Sequence, residues 1–264
     1  MGFDMNAFSL AGKKAIVTGG AKKTGLCYGM AVALHDAGAE IVILDANSQV
    51  ENTVAELGGA KSGYHAVVAN LLDLNDLSNG FQQAISALGG RLDILVNGAG
   101  LQYRCPSEEF PEDAWDRIMG VNIKGVFFMS QLAGKVMLKQ GKGKIINIAS
   151  TNSFIGLRNM PAYVSSKGGV KQLTMALSSE WSGRGINVNA IAPGYMDTEM
   201  SKDLQQMEQG KQLTKRIPMG RWGHPEDLMG TVVFLASSAS DYISGVTLPA
   251  VSYTHLRAHE TKAN

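Results

Sequence analysis

Short apolar segments alternate with amphipathic stretches along most of this chain, and this alternation restricts the possible folds more than any other feature. The segments are rich in β-branched residues and lack strict polar–apolar alternation, as expected for strands that are covered on both faces. The sequence therefore predicts six buried strands. They are Lys14–Thr18, Glu40–Asp45, Tyr64–Ala69, Leu92–Asn97, Lys144–Ala149 and Asn187–Ile191.

The intervening stretches have the apolar spacing of helices that bury one face. One such pattern covers residues 26–37 and is followed by Gly38, which is placed to end a helix. A second pattern covers residues 76–88. Repeated β-α units imply right-handed crossovers between parallel strands. We therefore expect an α/β fold, a doubly wound parallel sheet (Rossmann fold) with helices on both faces, as a single domain over residues 1–250.

Composition excludes several classes of function. The chain has 264 residues, 24 Lys and Arg against 23 Asp and Glu, and only two cysteines. A net charge of +1 without a long basic stretch argues against a nucleic-acid partner. No apolar run approaches the length of a membrane span, and two cysteines form no disulfide framework or predicted metal site. We expect a soluble, cytoplasmic protein without a membrane partner.

A glycine-bearing turn, residues 18–27, joins the first predicted strand to the first predicted helix. Such a turn lets backbone N–H groups approach a pyrophosphate at the positive end of the helix. Asp45 closes the second strand, where a carboxylate can accept hydrogen bonds from ribose hydroxyls and repel a 2′-phosphate. This arrangement favours NAD over NADP as cofactor, although Lys22 and Lys23 would suit a 2′-phosphate.

A Tyr-x-x-x-Lys pair, Tyr163 and Lys167, follows Pro161 at the expected start of a helix. Residues four apart share a helix face. An ammonium about 4 Å from a phenol is worth about 4 kcal/mol at an effective dielectric constant near 20, enough to bring the phenol pKa toward 7. Ser150 lies at the carboxyl end of a predicted strand, where open α/β sheets bind their ligands. These residues predict a general acid/base site.

With these motifs the chain resembles the short-chain dehydrogenase/reductase family over nearly its whole length. The matching residues are Thr18-Gly19, Asn97-Gly98-Ala99-Gly100, Asn122, Ser150, Tyr163, Lys167, Pro193-Gly194 and Thr198. The resemblance implies that Tyr163 transfers the proton and that Ser150 orients the substrate carbonyl. It also implies that Lys167 binds the nicotinamide ribose and lowers the pKa of Tyr163, and that Asn122 holds a proton-relay water.

The resemblance further implies a cofactor groove formed by many of the same segments. Its expected residues are Gly19, Gly25, Leu26, Asp45, Asn70, Leu71, Asn97, Gly98, Ala99, Lys167, Pro193, Gly194 and Thr198. Residues 195–217 correspond to the family's substrate lid. A homotetramer is also implied, built partly on the helix that carries Tyr163, where small residues would allow close helix approach. Those residues are Gly168, Gly169, Ala176, Ser178 and Ser179.

Within the family, the stretches at residues 8–13, 126–131, 186–196 and 216–241 resemble those of the sugar-acid dehydrogenases that include 2-deoxy-D-gluconate 3-dehydrogenase and gluconate 5-dehydrogenase. This likeness implies oxidation of a sugar-acid hydroxyl or reduction of the corresponding ketone. Arg104 and Arg158 precede and follow Ser150 on loops at the same edge, and arginine suits carboxylate binding. Two alternatives stay open: another carbonyl reductase acting on a 3-oxoacyl or polyol substrate, and a non-catalytic nucleotide-binding protein.

The chain departs from the family pattern at several positions. Cys27 stands where the third glycine of the turn is usual, Gly98 replaces the second asparagine of Asn-Asn-Ala-Gly, and Asn70 replaces an aspartate that meets the adenine. Residues 251–264 replace the ending that closes the last strand against a neighbouring subunit. We expect this tail to be foreign to the fold and disordered, and the last strand to be damaged.

Overall fold

A computed structural model describes residue 2 and residues 4–252, and within these residues seven parallel strands form one sheet. The strand order is β3-β2-β1-β4-β5-β6-β7. Their bounds are β1 Lys14–Thr18, β2 Glu40–Asp45, β3 Tyr64–Val68, β4 Ile94–Asn97, β5 Gly143–Ile148, β6 Ile186–Pro193 and β7 Thr247–Ala250. The predicted doubly wound parallel sheet is confirmed.

Helices connect these strands and cover both faces of the sheet. Their bounds are α1 Leu26–Asp36, α2 Gln49–Glu56, α3 Leu74–Ala87, α4 Glu112–Met119, α5 Val126–Gln140, α6 Pro161–Trp181, α7 Lys202–Gln206, α8 Glu208–Lys215 and α9 Met229–Ala236. A π-helical segment, Gly120–Gly125, joins α4 to α5. Gly38 follows α1 with a φ of 108°, in agreement with its predicted role at the helix end.

Alternate residues of the central strand face two separate layers of the core. Ile16 of β1 belongs to the cluster that includes Phe81 of α3 and Met129 of α5. Its neighbour Val17 faces the other side, in the cluster that includes Met30 of α1 and Val232 of α9. Because side chains alternate across a strand, a wholly apolar strand is stable only between two such layers. This explains why the strand segments lack polar alternation.

The strand order reverses its direction of growth between β1 and β4, which are neighbours in the sheet. Connections from these two strands leave toward opposite sides, so that a crevice opens beyond their carboxyl ends. Thr18 and Asn97, the last residues of β1 and β4, are paired in register at this point. The fold therefore places the glycine-bearing turn and the Asn97–Gly100 segment side by side.

The closing strand forms despite the altered chain end. β7 pairs in parallel with β6, from Ala190 opposite Thr247 to Pro193 opposite Ala250. Beyond it, the Ser252 hydroxyl accepts a hydrogen bond from the Met219 amide at 2.9 Å. The expectation of a damaged last strand is therefore wrong as far as residue 250, and residues 253–264 of the predicted tail lie outside the described residues.

Two of the small residues predicted to line a helix–helix interface face inward instead. A Cβ on Gly169 would lie 2.3 Å from Ile123 Cδ1, so this glycine accommodates a neighbour in the same chain. Ser178 is buried, and its hydroxyl hydrogen-bonds to those of Ser182 and Ser244. Ala176 and Ser179 are exposed on the outer face of α6.

Helices within residues 2 and 4–252 are all too short or too polar to cross a membrane.

Glu40 provides a test of electrostatic stabilisation at the amino end of the sheet. Its carboxylate contacts the Lys14 ammonium and lies 2.8 Å from His65 Nε2. The Lys14 hydrogen bond, assisted by His65, lowers the Glu40 pKa below 4.5. A depressed carboxyl pKa gives stability that is present above the unfolded value and lost as the pH falls through the folded value.

We therefore expect Glu40→Gln to lower the free energy of unfolding by roughly 0.5–1 kcal/mol near neutral pH and to have almost no effect in acid. Urea-induced unfolding followed by circular dichroism at several pH values measures the difference. Glu180→Gln, at an exposed position of α6, is the matched control. A difference between Glu40→Gln and the parent that does not change with pH would contradict the assignment.

Candidate active site

The glycine-bearing turn is fixed to the end of β4 by backbone contacts that require glycine. Gly19 has a φ of 84°, and a Cβ at this position would lie 2.7 Å from the Ala99 Cα atom. The Thr18 hydroxyl accepts hydrogen bonds from the amides of Gly98 and Ala99, at 3.0 and 3.2 Å. The turn and the Asn97–Gly100 segment thus form one unit at the crevice.

The amino end of α1 is open to an anionic group. Gly25 is its N-cap residue and makes no side-chain capping hydrogen bond, and the first turn carries no acidic residue. Free N–H groups at the start of an 11-residue helix suit a pyrophosphate, as does the steric freedom of Gly19. Leu26, the first helical residue, is partly buried. These residues fit a dinucleotide cofactor.

Asp45 lies beside the same turn. One carboxylate oxygen accepts a hydrogen bond from the Ala21 amide at 3.0 Å, and the other accepts one from Asn47 at 2.9 Å. An ionised carboxylate can accept about four hydrogen bonds, so capacity for two hydroxyl donors remains. The Thr53 hydroxyl donates to the Ala21 carbonyl at 2.6 Å. The turn is therefore held on both sides of Ala21, next to the carboxylate.

The two lysines of the turn are paired with carboxylates. Lys22 Nζ lies 2.9 Å from Glu199 Oε2, and Lys23 contacts Glu56. Glu199 belongs to the predicted lid segment, so the Lys22 pair joins that segment to the turn. All four side chains are about half exposed. Their ion pairs orient the lysines without contributing much stability.

Two further predicted cofactor residues follow β3. The Asn70 side-chain oxygen accepts a hydrogen bond from the Leu72 backbone amide at 3.0 Å. The Asn70 backbone amide donates to the Asp76 carboxylate at 2.8 Å. The Leu71 side chain is buried and packs in the core beneath Gly125. Only the Leu71 backbone is therefore available to a ligand.

The predicted lid begins where β6 ends. Pro193 pairs with β7, and Gly194 follows directly after it. The Thr198 amide and hydroxyl lie 3.1 and 3.3 Å from the Ser201 hydroxyl, which also donates to the Met196 carbonyl at 2.5 Å. These contacts close a tight turn that places Thr198 near the crevice end of β6.

Ser150 and Tyr163 lie close to each other. Ser150 is buried two residues beyond Ile148, the last residue of β5, and its side chain interacts with the Tyr163 phenol closely enough to lower the phenol pKa. Pro161 is the first residue of α6, where its fixed φ and missing N–H are compatible with a helix start. The rigid first turn of α6 therefore presents Tyr163 to the strand end that carries Ser150.

Lys167 is one turn further along α6 and is buried. Its Nζ atom donates to the Ile148 carbonyl at 2.6 Å and lies 5.7 Å from the centre of the Tyr163 ring. A Cβ on Gly100 would lie 3.7 Å from Lys167 Nζ and 3.5 Å from Asn122 Oδ1. The ammonium therefore lies between the two strand ends, within reach of a group bound in the crevice.

The predicted fall of the Tyr163 pKa is not what the structure shows. Burial raises this pKa above its ordinary value of 10, and the nearby Ser150 side chain and the positive charge of Arg104 reduce the rise only in part. Burial also lowers the pKa of Lys167 to about 8. The prediction was wrong because helix spacing gave the Tyr163–Lys167 separation but not the loss of water around both groups.

Asn122 occupies the π-helical segment and is fully buried. Its side-chain oxygen accepts from the Leu101 amide at 2.7 Å, and its side-chain nitrogen donates to the Leu101 carbonyl and the Ser166 hydroxyl. The Ser166 hydroxyl donates in turn to the Tyr163 carbonyl at 2.8 Å. π-helical turns are frequent at functional sites because they reorient single side chains. Here Asn122 connects the loop after β4 to the start of α6.

The Asn97 side chain was expected to line the crevice, but it points into the protein interior instead. Its side-chain nitrogen donates to Ser130 of α5 and to the side-chain oxygen of Asn147, each at 2.9 Å. Asn147 then donates to the Thr174 hydroxyl of α6 at 2.9 Å. This buried polar chain links two strands to two helices. The Asn97 side chain stabilises the sheet beneath the site, and only its backbone is close to the crevice.

The two candidate arginines differ in their surroundings. Both are exposed, on loops that are joined by a hydrogen bond from the Cys105 amide to the Asn159 carbonyl at 2.9 Å. Burial raises the pKa values of Tyr163 and Tyr195, and the charge of Arg104 opposes the rise at both. Arg104 is therefore near the Tyr163 phenol. Nothing in the described residues places Arg158 there.

Ser153 is a positioning residue that the sequence motifs did not single out. The Ser153 hydroxyl donates to the Lys167 carbonyl at 2.6 Å and accepts from the Ser150 amide at 3.3 Å. Ser150 and Ser153 form a capping box around the short 3₁₀ turn at Thr151–Ser153. The Ser-x-x-Ser spacing was visible in the sequence and resembles a helix-start signal, but its contact with α6 was not.

A parallel sheet with a glycine-bearing turn at its switch point and a Ser–Tyr–Lys group beside it is typical of a class of dinucleotide-dependent oxidoreductases. A family model described as enoyl-(acyl carrier protein) reductase matches residues 19–250. The chain belongs to the short-chain dehydrogenase/reductase family, whose members act on CH–OH groups with NAD(P).

Three relatives illustrate the similarity. The 2-dehydro-3-deoxy-D-gluconate 5-dehydrogenase of Escherichia coli (strain K12) is 46% identical over 246 residues, which cover 92% of this chain and 96% of that protein. The D-threitol dehydrogenase of Mycolicibacterium smegmatis is 37% identical, covering 91% and 92%. A gluconate 5-dehydrogenase of Burkholderia cenocepacia J2315, solved with NADP and tartrate, is 35% identical with a TM-score of 0.87, covering 92% and 95%.

The raised pKa of Tyr163 gives a prediction for the pH dependence of catalysis. If Tyr163 removes the hydroxyl proton, alcohol oxidation needs its phenolate, whose fraction grows as the pH rises toward a pKa above 10. We expect kcat/KM for oxidation to increase with pH from neutrality well into the alkaline range. Ketone reduction needs the protonated phenol and should stay level over the same range.

Initial rates followed by NADH absorbance in both directions test this prediction. A profile for oxidation that is already flat near neutral pH would contradict it. Because Lys167 titrates near 8, a small additional inflection in that region is expected.

Proposed function

We propose that this protein interconverts a secondary alcohol and a ketone of a sugar acid, with NAD as the preferred cofactor. The observation that carries the proposal is the proximity of Ser150, Tyr163 and Lys167 at the edge of the sheet that also holds the open end of α1. Bound nicotinamide supplies a hydride acceptor or donor. The chain's own residues must bind the substrate oxygen and move one proton.

Tyr163 is the residue that we propose exchanges this proton. In oxidation the phenolate accepts the hydroxyl proton while the carbinol hydrogen leaves as hydride, and the reverse steps reduce the ketone. The Ser150 hydroxyl, close to the Tyr163 phenol, is placed to donate to the same substrate oxygen. The buried position of Ser150 would strengthen its hydrogen bond to the substrate oxygen, because little water competes for it.

Lys167 and Asn122 support proton transfer. We propose that the Lys167 ammonium binds a ribose hydroxyl of the cofactor, since it is buried and donates one hydrogen bond, to the Ile148 carbonyl, within the part of the chain that the structure describes. Both polar atoms of the Asn122 side chain are hydrogen-bonded to main-chain groups of Leu101. Asn122 would therefore hold the backbone that surrounds a proton-relay water near Lys167.

The preference for NAD rests on charge. The Asp45 carboxylate would accept ribose hydroxyls and repel a 2′-phosphate. Lys22 and Lys23, which could attract that phosphate, are each paired with a glutamate. The Burkholderia relative was solved with NADP. A comparison of NAD with NADP as cofactor for this protein therefore tests the proposed preference.

The proposed sugar-acid substrate draws on the relatives and on Arg104. Curated relatives from Escherichia coli and Gluconobacter oxydans act on 2-dehydro-3-deoxygluconate and gluconate. Such a substrate carries a carboxylate and needs a cation. Arg104 is exposed at the crevice, and its charge reaches both Tyr163 and Tyr195. We propose Arg104, with Arg158 on the adjoining loop as an outer contact, for the carboxylate.

A polyol substrate is the second candidate, favoured by the 37% identity with D-threitol dehydrogenase. A polyol has no carboxylate, and Arg104 would then be a surface residue.

Residues 195–217 are proposed as the lid over either substrate, and the Lys22–Glu199 ion pair connects this segment to the cofactor turn. We further propose a homotetramer that uses the exposed face of α6, which includes Met175, Ala176 and Ser179.

The proposed reaction is tested by combining a substrate screen with Tyr163→Phe. NADH formation is measured with gluconate, 2-deoxygluconate, 3-deoxy-2-ketogluconate and polyols of matching length. We expect a sugar acid to be preferred, and Tyr163→Phe to reduce kcat by about 10²–10⁴-fold because the proton acceptor is lost. Binding of NADH, measured by fluorescence, should be nearly unchanged.

Tyr28→Phe, a tyrosine of α1 that also loses only its hydroxyl, is the control and should keep its activity. Activity that survives in Tyr163→Phe would refute the role of Tyr163. If polyols are preferred over the sugar acids at a similar kcat for both classes, the second candidate is supported.

Asp45→Ala tests the cofactor assignment. Removing the carboxylate should weaken NAD binding and improve NADP binding, because two hydroxyl acceptors and one repulsive charge are lost together. We expect the ratio of kcat/KM for NAD to that for NADP to fall by about tenfold or more. An unchanged ratio, or a parent protein that uses NADP alone, would overturn the preference for NAD.

A further inference from the structure

We propose that Cys27 and Gly98 form a size-complementary pair that positions the glycine-bearing turn for dinucleotide binding. The pair joins the first turn of α1 to the end of β4, the two elements that flank the proposed cofactor crevice. Its importance for binding rests on the proposed function. Neither residue needs to touch the cofactor, so both are positioning residues.

The contact between them leaves no room for another heavy atom. A Cβ on Gly98 would lie 2.2 Å from Cys27 Sγ, far below a van der Waals contact. The next neighbours of that Cβ are the Thr18 carbonyl at 3.0 Å and Ile148 Cγ1 at 3.4 Å, which require only small adjustments. The thiol therefore occupies the space that a side chain at position 98 would need.

Two irregularities of the sequence are explained by this one contact. Cys27 puts a side chain where the turn usually has glycine, and Gly98 lacks one where the segment usually has asparagine. Each departure on its own would leave a clash or a void between α1 and β4. Together they transfer volume from one side of the gap to the other, and close packing is kept.

The position of Gly98 is transmitted directly to the anion-binding turn. The amides of Gly98 and Ala99 both donate to the Thr18 hydroxyl, and Gly19 packs against Ala99 with no space for a Cβ. A displacement of Gly98 would therefore move or release Thr18 and Gly19. The first-turn N–H groups of α1, on the other side of Cys27, would lose their alignment with the turn.

The thiol acts through its volume and not through its charge. Cys27 is buried, and this burial raises its pKa to about 12 although the nearby Lys167 ammonium opposes the rise. The sulfur is consequently a neutral thiol over the range in which the enzyme would be assayed. Alanine at position 27 then removes the sulfur atom without removing a charge.

A four-member cycle tests the pair: the parent, Cys27→Ala, Gly98→Ala and the double variant. Binding of NADH is measured by fluorescence titration, kcat and cofactor KM by initial rates, and folding by thermal melting. We expect Gly98→Ala to raise the NADH Kd by about tenfold or more and Cys27→Ala to raise it by a few-fold. The double variant should return to within about threefold of the parent, because one heavy atom has only changed sides.

The KM for cofactor should follow Kd in all four proteins, while kcat changes less. Gly230→Ala, which adds a methyl group where no atom lies within 4 Å, is the control and should keep the parent Kd. If Gly98→Ala does not fold, a folded double variant with near-parent NADH affinity supports the pair. A double variant that is unfolded, or whose loss equals the product of the single losses, overturns it.

The outcome also separates this inference from the proposed function. A parent protein that binds neither NADH nor NADPH contradicts the function itself. A parent that binds NADH, with independent effects at positions 27 and 98, contradicts only the pair.

Discussion

The acceptance of two backbone amides by the Thr18 hydroxyl is the interaction on which the rest of the site depends. Thr18 ends β1, and the donors, Gly98 and Ala99, follow β4. These strands are neighbours at the point where the sheet reverses its order, so their ends would otherwise diverge toward opposite faces. The hydrogen bonds hold the two ends together, and glycine at position 19 lets the backbones meet. A ligand crevice with a fixed floor is the consequence.

Burial, more than charge pairing, determines the acid–base state on the other side of this crevice. Removing water raises the pKa of Tyr163 and lowers that of Lys167, so both shifts are toward the neutral form. The interaction with Ser150 is the largest influence that opposes this change at Tyr163. Proton transfer would then rely on the precise approach of substrate oxygen to Ser150 and Tyr163. Several contacts hold the backbone around these two groups in place. Ser153 donates to the Lys167 carbonyl, and Ser166 donates to the Tyr163 carbonyl. Asn122 of the π-helical segment holds the main chain of Leu101.

Elements governed by local pattern could be predicted from the sequence. β1 and β2 have the expected bounds, and Pro161 begins α6 as the spacing indicated. Other predictions needed information from distant residues. Asn97 turns into a polar chain with Ser130 and Asn147, whose positions depend on how α5 and β5 pack. The inward direction of Gly169 depends likewise on Ile123, which belongs to another element.

The sequence by itself determined the order of strands and helices, the residue types at each strand end and the family to which the chain belongs. These follow from periodicity and from motifs whose members are close in sequence. Only the tertiary structure decided the direction of the Tyr163 pKa and the relation between Cys27 and Gly98. Solvent exclusion and close packing are properties of atoms brought together from separate segments, and no single segment encodes them. Two departures that looked independent along the chain thus became one contact in space.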